Sequence, residues 1–566
     1  MNNTGLDTEI ARLVWSQRYR HGGSAEPDIT ATWRRIANAL AQAEPSGRDE
    51  WAARFYRVLE GFHFLPGGRV IAGAGTPRRV TLLNCFVMGG IEDSIPGIFR
   101  ALQEGAVTMQ EGGGVGYDFS TLRPRGLPAS IAGNIASGPV SFMAVWDAMC
   151  ATIQSTGARR GAMMATLRCD HPDIEAFIAA KSQPGVLTHF NLSVLVTDAF
   201  MRAAAEGAPW RLIFPATPPH RMTREVNAAE LWDRLMRASF ASAEPGVLFI
   251  DQINRMNNLH YCERISAVNP CGEVPLPHYG GCDLGSLNLT AFISAPFSPS
   301  ARLDMEALLA AVPIAVRILD NVLDVSHFPL PAQAQEVRAK RRVGLGITGL
   351  ADALIMLGLD YGSEAARHWA SGVMREICHA AYRASTALAA EKGAFLAFSR
   401  DAYLAGPFIR ALPDDVRDAI ATHGIRNSHL LAIAPTGTIS LLAGNVSSGI
   451  EPVFAAEADR MILDAFGAQQ HVTVMDHAVR LWRQEQGGRL PPAFVDAGAL
   501  PVQAHLGMQA ALQAHVDQSI AKTINLPATC GFADFADTFR AAHALGLKGC
   551  TVFRPQAAAG VLSARA

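Results

Sequence analysis

From Pro66 onward the chain alternates short apolar runs of strand length with stretches of helical spacing, and no other feature narrows the fold as far. Short runs stand at residues 80–88, 188–197 and 430–434, with Gly-rich turns between elements; residues 228–241 and 308–325 read as helices. Strands interleaved with helices imply an α/β architecture. Before Pro66 the texture differs. Residues 30–42 and 51–59 carry apolar positions three and four apart, which predicts helices. The expected organisation is a small N-terminal helical region, residues 1–60, followed by one large α/β body, residues 61–566. Residues 556–566, rich in alanine, read as a frayed end.

Bulk properties exclude several function classes. A formal net charge of −2 argues against a general nucleic-acid or membrane-surface binder. No apolar run approaches the ~20 residues that span a bilayer. The opening MNNTGLDTEI lacks the apolar segment of a secretory leader, so a cytoplasmic protein is expected. Nine cysteines are sparse, and none forms a C-x-x-C. A zinc ribbon or a secreted disulfide framework is not expected, and no metal site is predicted. Most of the nine read as small buried hydrophobes.

Three cysteines stand apart. In Asn269-Pro270-Cys271-Gly272-Glu273 a thiol lies between an amide two residues before and a carboxylate two residues after. In an extended loop, side chains two apart share a face, so Asn269, Cys271 and Glu273 can converge on one small ligand. Pro270 and Pro275 stiffen the segment. The set suits nucleophilic or hydrogen-atom chemistry, though a structural cysteine in a Pro-rich loop fits these residues too. Cys85 in LLNCFVM and Cys282 in GGCDLGSLNL each sit in a strand-like apolar stretch. Brought together, they could cycle between dithiol and disulfide and supply two electrons, but spacing does not establish that they meet.

Two further segments bear on ligands. Pro435-Thr436-Gly437-Thr438-Ile439 follows an apolar run, read as a buried strand, and reads either as an ordinary helix cap or as a phosphate cradle. GLGITG, residues 344–349, matches a dinucleotide-binding pattern, but charged EVRAKRR precedes it where an apolar strand is needed. Its glycines are expected to serve close helix packing.

Taken in order, LLNCFVM, NPCGE and GGCDLGSLNL resemble the active-site cysteine segments of ribonucleotide reductases. The likeness continues through GGGVGYDFSTLRPRG (112–126), residues 136–148 and 157–178, 341–354, 433–454 and 522–554, covering roughly residues 55–555. It implies a ten-stranded α/β barrel of the reductase type with Cys271 on a loop pushed into its centre. It also implies roles. Cys271 becomes a thiyl radical that abstracts the 3′ hydrogen of a ribonucleotide, and Glu273 takes the 3′ hydroxyl proton as general base. Asn269 holds the substrate. Cys85 and Cys282 end as a disulfide when the 2′ hydroxyl leaves as water. Substrate contacts are expected from Asn84, Cys85, Gly113, Gly114, residues 269–273 (Pro270 and Gly272 included) and Pro435, Thr436, Gly437, Thr438 and Ile439.

Among reductase classes the segments look most like the adenosylcobalamin-dependent one. Gly549-Cys550-Thr551-Val552-Phe553-Arg554 has no tyrosine where classes with a separate radical-generating subunit carry a relay, and no glycyl-radical motif is found. The resemblance further implies a homodimer and a nucleoside triphosphate effector near Asp93, Ser94, Arg125 and the loop 157–164, although solvated polar residues around turns would look the same. An extra ATP-binding helical module is not expected in the first 60 residues. No cysteine pair follows Cys550 in this sequence, so the reading expects an external thiol reductant, a separate cysteine-bearing chain, or a chain that has been cut short. A reductase of another class and a nicotinamide-dependent dehydrogenase using GLGITG are the competing readings.

Overall fold

The structure is a computed structural model that describes residues 6–22, 26–128, 135–155, 159–214, 221–463, 469–488, 490–554 and 562–564. Ten strands form the principal sheet: β1 (Phe64–Pro66), β2 (Cys85–Val87), β3 (Gly114–Asp118), β4 (Met163–Arg168), β5 (Phe190–Val196), β6 (Gly246–Phe249), β7 (Gly281–Asn288), β8 (Val343–Thr348), β9 (Thr523–Asn525) and β10 (Gly549–Phe553). Strands β2 to β6 run parallel in sequence order, with helices such as Ile95–Gln110, Pro139–Thr152 and Ala228–Ser242 crossing between them. Strand β7 is antiparallel to β1 and β2 and parallel to β8. Strand β10 is antiparallel to β6 and parallel to β9. Two parallel groups thus meet antiparallel, and β3 to β8 are almost wholly buried, as parallel strands covered on both faces require.

The sheet is not a continuously hydrogen-bonded barrel. Between β8 and β9 lie only isolated bridges, Leu345 to Leu431 and Ile433 to Ile520. Residues 430–434 therefore make no regular strand, contrary to the reading of that apolar run. The cause is local: the Leu430 and Leu431 amides donate to the two carboxylate oxygens of Asp517, at 2.8 and 2.9 Å, and so leave the ladder. Two of the GLGITG glycines, Gly344 and Gly346, also differ from expectation, since they lie in β8 itself, while Gly349 caps the helix Leu350–Met356 that follows. A Cβ on Gly346 would come within 2.4 Å of the Ala432 carbonyl oxygen, so the glycine admits a neighbouring backbone and not a helix. Of the charged EVRAKRR before it, residues 336–340 end the helix Pro331–Lys340.

The N-terminal helices Ile29–Ala41 and Arg48–Leu59 share one hydrophobic cluster with the long helices Met305–Val325 and Glu364–Lys392. A buried ion pair, Arg317 to Glu44 at 2.8 Å, and Asn321 donating to the Leu40 carbonyl tie them to the body. Of the stretch read as frayed, Leu562–Ala564 pairs with residues 458–460, and the rest lies outside the described residues. No helix among the described residues is long and apolar enough to cross a membrane.

Candidate active site

Two short antiparallel strands, Ala267–Val268 and Pro275–Leu276, carry the NPCGE tip as a finger against the inner face of the sheet. Glycines in β3 make room for it. A Cβ on Gly116 would stand 1.9 Å from the Val268 carbonyl oxygen, and one on Gly114 3.2 Å from the Pro270 ring. Thr166 of β4 donates its hydroxyl to the Ser266 carbonyl (3.0 Å), and Asn191 of β5 donates to the Pro270 carbonyl (2.8 Å). From the far side, the Ser519 amide donates to the Glu273 carbonyl (3.0 Å). Elements on both sides of the finger therefore fix it.

The tip is a turn, not the extended segment expected. The Gly272 amide donates to the Asn269 carbonyl (3.0 Å), and Gly272 takes the left-handed φ of +81° that favours glycine. Asn269 is locked at both ends of its amide: Oδ1 accepts from the Val274 amide (2.9 Å) and Nδ2 donates to Cys85 Sγ (3.1 Å). Cys85 in turn lies 3.9 Å from Glu273 Oε1. Asn269 and Glu273 are buried, whereas Cys271 is exposed.

Cys85 and Cys282 face each other as direct partners on antiparallel β2 and β7. Facing residues in such a ladder have Cα atoms about 4.5–5.5 Å apart, inside the range a disulfide spans. Both are free thiols. Burial, with Glu273 and then the neighbouring thiols adding to it, holds the Cys85 pKa well above the ordinary thiol value. Burial and then Asp283 do the same for Cys282. Both are therefore kept as protonated thiols, able to give up hydrogen.

A cavity of about 280 Å³ opens over this group. Its wall includes Asn84, Cys85, Gly113, Gly114, Asn269, Pro270, Cys271, Glu273 and Pro435 to Ile439. Of the expected contacts only Gly272 lies elsewhere, on the wall of a second cavity. Cys282 sits behind Cys85 and does not reach the first cavity. In the 435–439 segment the Thr436 hydroxyl turns inward, 2.9 Å from the Thr348 hydroxyl and accepting from the Gly449 amide at 2.9 Å. The helix Gly437–Leu442 begins there, so the amides of its first turn have no partner inside the helix. Among the wall residues that the sequence reading did not assign are the polar Tyr19, Arg69 and Ser286. Tyr19 arrives on a single π-helical turn, Trp15–Tyr19.

The second cavity, about 1100 Å³, lies on the other side of the tip. Pro270, Cys271 and Pro435 border both cavities.

The residues proposed for an effector gather separately. Asp93 accepts from the Arg123 side chain (2.7 Å) and backbone (3.1 Å), which joins the two segments. Ser94 caps the helix Ile95–Gln110 through the Gly97 amide, and the Arg125 amide donates to Asp173. Of the loop 157–164, residues 157 and 158 lie outside the described residues.

Comparison with known proteins adds independent findings. A family model described as "Ribonucleotide reductase, barrel domain" matches residues 83–553, and one described as "Ribonucleotide reductase, all-alpha domain" matches residues 6–79. The chain is 41% identical to a vitamin B12-dependent ribonucleoside-diphosphate reductase of Mycobacterium tuberculosis (strain CDC 1551 / Oshkosh), over 96% of this chain and 77% of that protein. It is 35% identical to a protein of the same name from Thermoplasma acidophilum, over 91% of this chain and 66% of that one. A ribonucleoside-diphosphate reductase subunit alpha of Chlamydia pneumoniae is 28% identical over 77% of this chain and 46% of its own length.

Proposed function

The chain belongs to the ribonucleotide reductase family, and from that premise we propose that it reduces ribonucleoside diphosphates to 2′-deoxyribonucleotides with adenosylcobalamin as cofactor. One observation carries the reading: Cys271 borders two cavities, one lined by Cys85 and Glu273 and the other wide enough for the corrin ring of the cofactor.

The wider cavity suits the corrin ring of a corrinoid. Its volume, about 1100 Å³, is at the top of the range for drug-sized ligands. Ser182, Gln183, Thr188 and Thr551 on its wall offer partners for the amide side chains of such a molecule, and Gly246 and Gly549 allow close approach. When bound there, adenosylcobalamin supplies an unpaired electron through homolysis of its cobalt–carbon bond. The protein's part is position and shielding.

The chemistry then follows from the chain's own groups. Cys271, as a thiyl radical, removes the 3′ hydrogen of the ribose. Glu273 takes the 3′ hydroxyl proton as general base. Cys85 protonates the departing 2′ hydroxyl, which leaves as water, while Asn269 hydrogen-bonds the substrate. Cys85 and Cys282 each lose one hydrogen and close a disulfide, and Cys271 returns its hydrogen to the 3′ carbon. The balance is one ribonucleotide and two thiols giving one deoxyribonucleotide, one disulfide and water. The 435–439 segment and Asn84, Gly113 and Gly114 receive the substrate phosphates and sugar through backbone groups.

Partners follow the same reading. A nucleoside triphosphate effector binds around Asp93, Ser94 and Arg125. Ile95, Phe99 and Val145 expose apolar surface on two adjacent helices, which supports a homodimer through that face. Phe99→Glu is expected to yield monomers in analytical ultracentrifugation. A thiol reductant, small or carried by another chain, reopens the disulfide.

The test is an anaerobic assay with a ribonucleoside diphosphate and a small dithiol. Deoxynucleotide is expected with adenosylcobalamin and none without it. Formation that needs no corrinoid would overturn the cofactor assignment.

A further inference from the structure

A third cavity, about 430 Å³, adjoins the wider one: Pro435, Glu451, Thr523 and Phe553 belong to both walls. Its wall carries one arginine, Arg460, on the strand Glu457–Leu463. Every carboxylate near it is committed elsewhere. Glu451 pairs with Lys522 at 2.6 Å and accepts from the Thr523 amide at 2.7 Å. Asp476 caps the helix His477–Gln486 through the Val479 amide, and burial and then Asp352 push its pKa well above the ordinary carboxyl value. On the strand itself, Glu457 pairs with Arg483 and Asp459 accepts from Thr473. Those two alternate with Ala458 and Arg460, and the latter pair faces the cavity.

Among the described residues, Arg460 thus has no carboxylate partner, although it is partly buried. Burial alone lowers its pKa, with no anion to offset the loss of water. A guanidinium held this way favours an anion with two oxygens in one plane, such as a phosphate diester.

We propose that Arg460 binds the phosphodiester of the cofactor's nucleotide tail, with the corrin ring in the wider cavity and the tail in the adjoining one. The inference rests on the cofactor reading above. A corrinoid is too large for one drug-sized cavity, so part of it must extend beyond the space next to Cys271. The shared wall at Pro435, Glu451, Thr523 and Phe553 is where the two spaces meet. The phosphodiester is the strongly acidic group of the molecule, and among the described residues Arg460 is a cation along the path with no carboxylate partner.

Equilibrium dialysis with adenosylcobalamin and with adenosylcobinamide, which lacks the nucleotide tail and its phosphodiester, separates the possibilities. The unmodified chain should bind adenosylcobalamin more tightly. Arg460→Gln should weaken adenosylcobalamin by about tenfold or more, the loss of a charge-assisted hydrogen bond, and leave adenosylcobinamide within about twofold. Arg460→Lys should recover part of the affinity. Circular dichroism of each variant checks that the fold is kept. An unmodified chain that binds neither corrinoid overturns the cofactor reading and this inference with it. Binding of both corrinoids unchanged by Arg460→Gln, or weakened equally, overturns the inference alone. So does a variant that loses affinity only for a nucleoside triphosphate.

Discussion

Cys85 and Cys282 occupy facing positions on two antiparallel strands, so residues far apart in sequence become neighbours through the ladder alone. The pairing needs no loop movement to place the two sulfurs within bonding reach. It also explains why both thiols are buried: the strands that hold them lie inside the body, and only Cys85 meets the first cavity.

A disulfide between these two is the expected product of one turnover. Peptide mapping after a single anaerobic turnover, with free thiols blocked on quenching, should show Cys85 joined to Cys282. Cys282→Ser should allow substrate to bind and eliminate that crosslink. A disulfide joining other cysteines would contradict the assignment.

Gly116 sets the position of the finger. Gly116→Ala places a methyl where the Val268 carbonyl oxygen now lies, 1.9 Å from the new carbon. The expected cost is about 1–3 kcal/mol of stability from overpacking. Activity should fall by about a hundredfold, because a displaced tip moves Cys271 relative to the substrate. Denaturant unfolding and turnover measured together check this. Full activity in the variant would show that the tip tolerates displacement.

Asp283, next to Cys282, is fully buried, and its Oδ2 has no hydrogen-bond partner among the described residues. Burial pushes its pKa well above the ordinary carboxyl value. In the unfolded chain it titrates near pH ~4. The native state therefore holds the proton more tightly, and stability is lost as pH rises from that value through the raised one. Asp283→Asn removes the titration and keeps the shape. It should stabilise the protein by about 1–3 kcal/mol at pH 8 and change little near pH 4. Denaturant unfolding at the two pH values reads the difference; an equal effect at both would contradict the raised pKa.

The sequence carried much of this site and less of the fold that builds it. Helices at residues 30–42, 51–59, 228–241 and 308–325 appear as Ile29–Ala41, Arg48–Leu59, Ala228–Ser242 and Met305–Val325, because their apolar spacing is set by their own burial. Residues 80–88 overstate the strand, which is only Cys85–Val87, since apolar loops beside a core look like strands. The 430–434 run failed for a reason no local pattern contains: Asp517, distant in sequence, takes its amides. The three cysteines, the amide and the carboxylate were legible through the likeness of their segments to those of the reductases, since NPCGE alone also fits a structural cysteine. Their meeting depended on the cross-strand register and the glycine gap beneath the finger, and these are properties of the assembled sheet.

The most direct measurement compares the unmodified chain with Cys271→Ser in one anaerobic turnover with adenosylcobalamin, a ribonucleoside diphosphate and a small dithiol. Serine keeps the size of the side chain and removes the weak S–H bond. The expected result is about one deoxynucleotide per site from the unmodified chain before the dithiol acts, and none above background from the variant, which should still bind substrate by equilibrium dialysis. Deoxynucleotide formed by Cys271→Ser at a comparable rate would contradict the role of Cys271.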